Sequence, residues 1–192
     1  MYRALDDALR RNDLAAFKAA VVAHPQCDKY SLVNTITNTL VGPPSFPYIR
    51  WLFATFALNA MQRDPDKDGE LLLLGAPLLT LPVLCEEYGF DVNAPIGGAY
   101  GRSTYVEDKL FPRSGTPLEV AQFAVYYGAR KTPAIDPRFY PLFDARSRCA
   151  QAARALLAVL RSNRWRGYVA RDVALIMTRM VWRTRCEWKG WL

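Results

Sequence analysis

Apolar residues recur at helical spacing along most of this chain. In ALDDALRRNDLAAFKAAVVAHP, Leu5 and Leu9 share one face with Ala8 beside them; Leu14, Phe17, Val21 and Val22 resume the period after Asn12-Asp13. That polar pair reads as an N-cap between two short helices, and Pro25 stops the second. SLVNTITNTL predicts a helix opened by Ser31, GPPSFP breaks it, and YIRWLFATFALNAM predicts a strongly apolar helix. RDPDKDG then reads as a surface connection and ELLLLGAP as a short apolar element. LLTLPVLCEEYG predicts a helix with Pro82 in its first turn, where a missing N–H costs little, and a glycine at its end. TPLEVAQFAVYYGA predicts another helix, and the proline-rich crossing KTPAIDPRFYPLFD leads to ARSRCAQAARALLAVLRSN, a helix capped by Asp144. A last helix is expected in GYVARDVALIMTRMVWRTRCEW. Convincing strand alternation is missing. The expectation is an all-α chain forming a single domain, 1–192, of stacked helix pairs at about 3–25, 31–63, 68–94 and 115–162. A C-terminal capping helix at 166–188 and two long inserted loops, 95–114 and 130–144, complete that expectation.

Composition narrows the class. With 192 residues, 51% hydrophobic and 22% charged, the chain is long enough to bury a core without covalent staples. Four cysteines, at 27, 85, 149 and 186, form no CxxC pair, and His24 is the only histidine, so no zinc site is expected. MYRALDDALRR has acids and no apolar core, unlike a secretory leader, which predicts an intracellular, cytoplasmic or nuclear protein with free thiols. The most apolar run, Leu71–Leu84, is too short to span a bilayer and contains Pro77 and Pro82. Charge is uneven. Residues 1–100 hold eight Lys/Arg against eleven Asp/Glu, a net of −3, while 101–192 hold seventeen against seven, a net of +10. From Arg146 onward, eleven bases face only Asp172 and Glu187.

Two phrases give the helix pairs a more specific cast. GFDVNAP, 89–95, resembles the end of an ankyrin repeat, where the second helix stops at a glycine and a D-V-N-A turn follows. GTPLEVA, 115–121, resembles the start of the next, G-x-T-P-L-x-x-A. The chemistry suits those places. Gly89 can take the left-handed conformation that ends a helix, Asp91 and Asn93 can bond their own backbone in a turn, and Thr116 can cap a helix whose first turn holds Pro117, with Glu119 completing a capping box. Residues 4–24 also resemble a terminal ankyrin unit, whereas 31–63 and 68–88 match only in their helix-pair plan. Glu119 replaces the family's usual histidine, and the twenty residues 95–114 separate Ala94 from Gly115 where the family uses a few. The resemblance implies a divergent ankyrin-repeat protein: a non-catalytic protein–protein interaction module without a cofactor.

Candidate chemistry is sparse. His24 ends a helix, where a cation is favourable without any catalytic role. PIGGAYG, 95–101, superficially looks like a phosphate loop but lacks a GKS/GKT ending and the GxGxxG spacing, so a flexible loop is expected. D-x-D-x-D-G at 64–69 begins like a calcium loop, but its twelfth position is Gly75 rather than a bidentate glutamate. An enzyme would need a pocket gathering several of Tyr126, Tyr127, Asp136, Arg138, Tyr140 and Asp144. Two regions are candidates for a partner. The connection 95–114 carries Tyr100, Arg102, Tyr105, Lys109, Phe111 and Arg113, residue types favoured at binding hot spots, although Tyr105 and Phe111 equally suit tucking the loop onto the stack. In the C-terminal helix Val169, Val173, Ile176, Met177 and Met180 share one face. That pattern suits a capping helix. The alternative is an anionic partner, nucleic acid or an acidic surface, bound by Arg161, Arg164, Trp165, Arg166, Arg171, Arg179, Trp182 and Arg185.

Overall fold

The structure, a computed structural model, describes residues 2–161. The chain divides into two compact units, the first being Met1–Asp136 and the second beginning at Pro137. Among the described residues it is mostly helical, with eight α-helices and one short β-hairpin.

The first unit opens with α1 (Tyr2–Arg10) and α2 (Leu14–Ala23), packed as a hairpin. Asn12 takes a left-handed φ of 50° in the turn, and the Asp13 carboxylate accepts from the Ala16 amide, the cap expected from the polar pair. Leu5, Leu9, Phe17 and Val21 are buried. The second pair is α3 (Lys29–Thr39) and α4 (Phe46–Phe56). Ser31 does not open α3. Asp28 does, accepting from the amides of Tyr30 and Ser31, because a carboxylate two or three residues upstream reaches the first free N–H groups. Pro43, Pro44 and Pro47 cluster where the chain enters α4, and Ile49, Leu52 and Tyr48 face the core. The pairs meet through their apolar faces: α1 packs on α3, and Phe17 of α2 meets Tyr48 and Trp51 of α4 edge to face at ring-centre distances of 5.2 and 6.1 Å.

Residues 63–71 are the main departure from an all-helical expectation. Arg63–Asp64 (β1) and Glu70–Leu71 (β2) pair antiparallel across a turn in which Asp68 and Gly69 are both left-handed, φ 51° and 75°. Strands two residues long leave no alternation for a sequence to display. A short 3₁₀ turn, Leu78–Thr80, then runs directly into α5 (Leu81–Tyr88), with Pro82 in the first turn and Gly89 left-handed at φ 67° as the C-cap. The Asn93 amide donates to the Asp91 carboxylate, the turn expected from the D-V-N phrase. α6 (Tyr105–Lys109) lies inside the 95–114 connection, and α7 (Leu118–Tyr126) packs against α5 and the Leu78–Thr80 turn. Thr116 does not cap α7. Its hydroxyl donates to the Lys109 carbonyl, tying the connection down, and Pro117 occupies the cap position without a side-chain bond.

In the second unit a 3₁₀ turn, Pro137–Phe139, leads into α8 (Tyr140–Arg161), where Phe139 and Phe143 are buried. Asp144 is therefore a residue of α8 and not its cap, because the helix begins four residues earlier, at Tyr140.

Candidate functional site

The connection 95–114 is built from hydrogen-bonded turns and a short helix. Its core is a left-handed glycine run and a capped helical turn. Gly97, Gly98 and Gly101 have φ of 83°, 56° and 61°, and the amides of Ile96, Gly98, Tyr100 and Gly101 donate to the carbonyls of Ser103, Asp68, Gly97 and Gly98. Those amides are occupied, so the superficial phosphate loop offers little of a cradle. Thr104 and Glu107 form a capping box at the start of α6, and the Thr132 hydroxyl also donates to Glu107 at 2.6 Å. Burial pushes the Glu107 carboxyl up, but the hydrogen bonds from Thr132 and Thr104 outweigh it and hold the group below its ordinary range.

The β-hairpin anchors this connection. The Arg63 guanidinium donates to the carbonyls of Gly69 at 2.7 Å, Ile96 at 3.2 Å and Pro95 at 2.7 Å, and the Leu71 amide donates to Ile96 at 2.8 Å. Three carbonyls on one planar fork fix the hairpin against the loop.

Together α3, the hairpin and the connection enclose a cleft of about 390 Å³. Tyr30 and Asn34 come from α3, Lys67 and Glu70 from the hairpin, and Tyr100 and Lys109 from the connection. Its charge is mixed: the carboxylates Asp28, Asp64, Glu70 and Asp108 against two lysines, Lys67 and Lys109. Lys67 lies 3.7 Å from Asp64 and Lys109 lies 3.2 Å from Asp108. Burial raises Asp28, but the bonds from Ser31 and Tyr30 and the nearby charge of Lys67 more than reverse this, so its carboxyl titrates below the usual range and stays ionised. On the floor, Asn34 Oδ1 is buried without a hydrogen-bond partner. Its amide is pressed against Gly75, where an added Cβ would lie 2.9 Å from the Asn34 Cγ.

The expected partner residues separate into distinct places. Tyr100 and Lys109 line the cleft, Tyr100 being 47% exposed. Phe111 is equally exposed, and Arg102 and Arg113 point to solvent without lining it. Tyr105 is not a surface residue. It is wholly buried, packs edge to face on Phe90 at 5.0 Å and donates its hydroxyl to the Ala76 carbonyl. Its chain position, one residue after the cap Thr104, places it on the inward side of α6. Of the residues proposed for an anionic partner, Arg164, Trp165, Arg166, Arg171, Arg179, Trp182 and Arg185 lie outside the described residues, as does the expected helix 166–188, while Arg161 is the last residue of α8. Among the residues gathered for an enzyme, Tyr127 donates to Glu86 at 2.8 Å and meets Tyr126 edge to face.

Sequence reasoning missed the α3 and hairpin half of the cleft. The signal was present in DPDKDGE, where Asp68-Gly69 is a turn dipeptide between two short flanks. Among the described residues no group of three His, Cys, Asp or Glu side chains is arranged to hold a metal ion, and no helix is long and apolar enough to cross a membrane. No protein-family model, curated protein or solved structure matches the chain.

Proposed function

We propose that this chain is a divergent ankyrin-type helical repeat protein that acts as a non-catalytic protein-interaction module, with the cleft as its recognition surface. One observation carries this: a turn, a helix and an inserted loop from three separate stretches of sequence border one concavity, the arrangement by which stacked helix pairs present binding surfaces. The serial packing of α1/α2, α3/α4 and the Leu78–Thr80 turn with α5 supports the repeat assignment, as do the left-handed Gly89 and the Asp91–Asn93 turn. From the connection, the exposed Tyr100 and the half-buried Asp108 and Lys109 reach the cleft.

The test is quantitative co-purification with the intact chain and with Tyr100→Ser/Lys109→Ser. These positions sit at the surface of the cleft, whereas deleting 97–112 would remove the buried Tyr105, Val106 and Leu110. Selective loss of partners is expected. Recovery of the same partners in the same yield would remove the cleft from the recognition role.

A further inference from the structure

Carboxylates outnumber cations in the cleft, with Asp28, Asp64, Glu70 and Asp108 against Lys67 and Lys109. Its two lysines are each drawn to one carboxylate, Asp64 or Asp108. Glu70 is half-buried, and its carboxylate makes neither a hydrogen bond nor an ion pair among the described residues. Asn34 Oδ1 is a second acceptor without a donor, buried at the same cleft. A buried acceptor left unpaired is costly, and the surplus of carboxylates in the same lining makes a neutral filler a poor remedy. Asp28 adds another negative charge on the α3 side. What this lining calls for is a cation with several N–H groups in one plane. An ammonium carries three donors on one compact, strongly hydrated centre, whereas a guanidinium spreads five donors over a fixed planar fork and is weakly hydrated, so it enters a half-enclosed site more readily. Tyr30 and Tyr100 supply aromatic surface of the kind against which a guanidinium stacks.

We infer that the cleft receives an arginine side chain from a partner protein, its guanidinium bonded to Glu70 and to Asn34 Oδ1. The terminal torsion of an asparagine is soft, so the amide turns to meet a donor that enters. The absent Cβ at Gly75 leaves the amide room to sit at the cleft floor, since a methyl there would stand 2.9 Å from both Asn34 Cγ and Nδ2. This inference rests on the interaction role proposed above and adds the chemistry of the partner.

The experiment is an NMR titration of the ¹⁵N-labelled full chain with N-acetylarginine amide, N-acetyllysine amide and N-acetylcitrulline amide, the last a neutral match to arginine in shape. The arginine compound is expected to shift the Asn34 side-chain amide and the Glu70 and Gly75 backbone amides saturably, the lysine compound to do so more weakly, and the citrulline compound not at all. Glu70→Gln should weaken the arginine compound by about two- to fivefold, the size of one partly exposed charge pair. A glycine-flanked arginine peptide should bind more tightly than the single amino-acid amide. Equal affinities would overturn the protein source. Equal shifts with arginine and citrulline, an unchanged affinity in Glu70→Gln, or shifts confined to residues away from the cleft would overturn the inference itself. If the cleft ignores arginine while Tyr100→Ser/Lys109→Ser still loses its partners, the interaction role stands and the guanidinium assignment falls. If arginine binds but those partners are retained, the reverse holds.

Discussion

Arg50 of α4 forks onto Glu87 of α5, its Nε 2.9 Å from both carboxylate oxygens and its Nη2 2.6 Å from one of them. The pair joins two successive helices at the protein surface, above the contact between Phe53 and Tyr88 at 4.2 Å. The hydrogen bond from Arg50 holds the Glu87 carboxyl below its ordinary value of 4.5. A depressed carboxylate stabilises the fold above its unfolded pKa, and the contribution disappears as pH falls through the folded value. Both side chains are substantially exposed, 52% and 36%, so solvent screening limits the pair to under about 1 kcal/mol. Thermal melts of the protein and of Glu87→Gln should therefore differ by no more than about 2–4 °C at neutral pH. That gap should close in acid, below the ordinary carboxylate range. A gap that persists undiminished at low pH would assign it to packing and not to charge.

Tyr105 is tested by removing one atom. Its hydroxyl satisfies the Ala76 carbonyl in a fully buried place. Tyr105→Phe leaves that carbonyl without its donor and should cost about 1–3 kcal/mol, whereas Tyr105→Ala adds a cavity and should cost about 3–5 kcal/mol. Urea unfolding with an unchanged slope measures both. Burial also keeps the phenol proton in place far above the ordinary tyrosine value of 10.0. The folded state then binds a proton that the unfolded chain releases, so stability should hold below that value and fall as pH rises past it. Tyr105→Phe should show a shallower alkaline decline. An exposed, partner-contacting Tyr105 would give neither effect.

The helical elements were legible because their signals are local. Asp13 follows a helix and precedes an apolar period, Gly89 ends one, and each behaves as its chemistry dictates whatever surrounds it. The hairpin was illegible for the opposite reason. Its strands are two residues each, and what holds the region is Arg63 reaching carbonyls thirty-two and thirty-three residues away. Thr116 shows how a correct residue type can carry the wrong role: a hydroxyl suited to an N-cap found the Lys109 carbonyl instead. The candidate site was half legible. Tyr100 and Lys109 stood out by composition, but Asn34 and Glu70 are ordinary until the fold leaves both without donors.

Cys85 offers a chemical probe of α5. Burial first, then the neighbouring charges of Asp91 and Glu86, push its thiol up to about 12. Alkylation proceeds through the thiolate, and at pH 8 such a group carries about a thousandfold less thiolate than a free cysteine. Iodoacetamide labelling followed by peptide mass spectrometry should find Cys85 essentially unmodified in the native protein and fully modified in urea. Rapid native labelling would mean that α5 opens readily, which would also undo the Arg50–Glu87 contact on the same helix.

Gly97 and Gly101 separate steric contact from backbone strain within one loop. Both have positive φ, 83° and 61°, so an alanine at either position is strained, at about 1–3 kcal/mol. Around Gly101 an added Cβ meets nothing within 4 Å, but at Gly97 it would stand 2.5 Å from the Gly69 carbonyl oxygen and 3.1 Å from Arg63 Nη1. Relief requires moving the hairpin turn, and with it the Arg63 bond to that same carbonyl. Gly97→Ala should thus be more destabilising than Gly101→Ala by a further ~1–3 kcal/mol, the usual cost of overpacking. Chemical denaturation of the two variants side by side measures the difference. Because Gly98 packs on the Glu70 Cβ at 3.2 Å from its own added-carbon position, the shift should also spread into the cleft. Gly97→Ala should then perturb the Glu70 amide resonance while Gly101→Ala leaves it in place. Equal destabilisation by the two alanines would show that the hairpin and the connection are not in contact at Gly69.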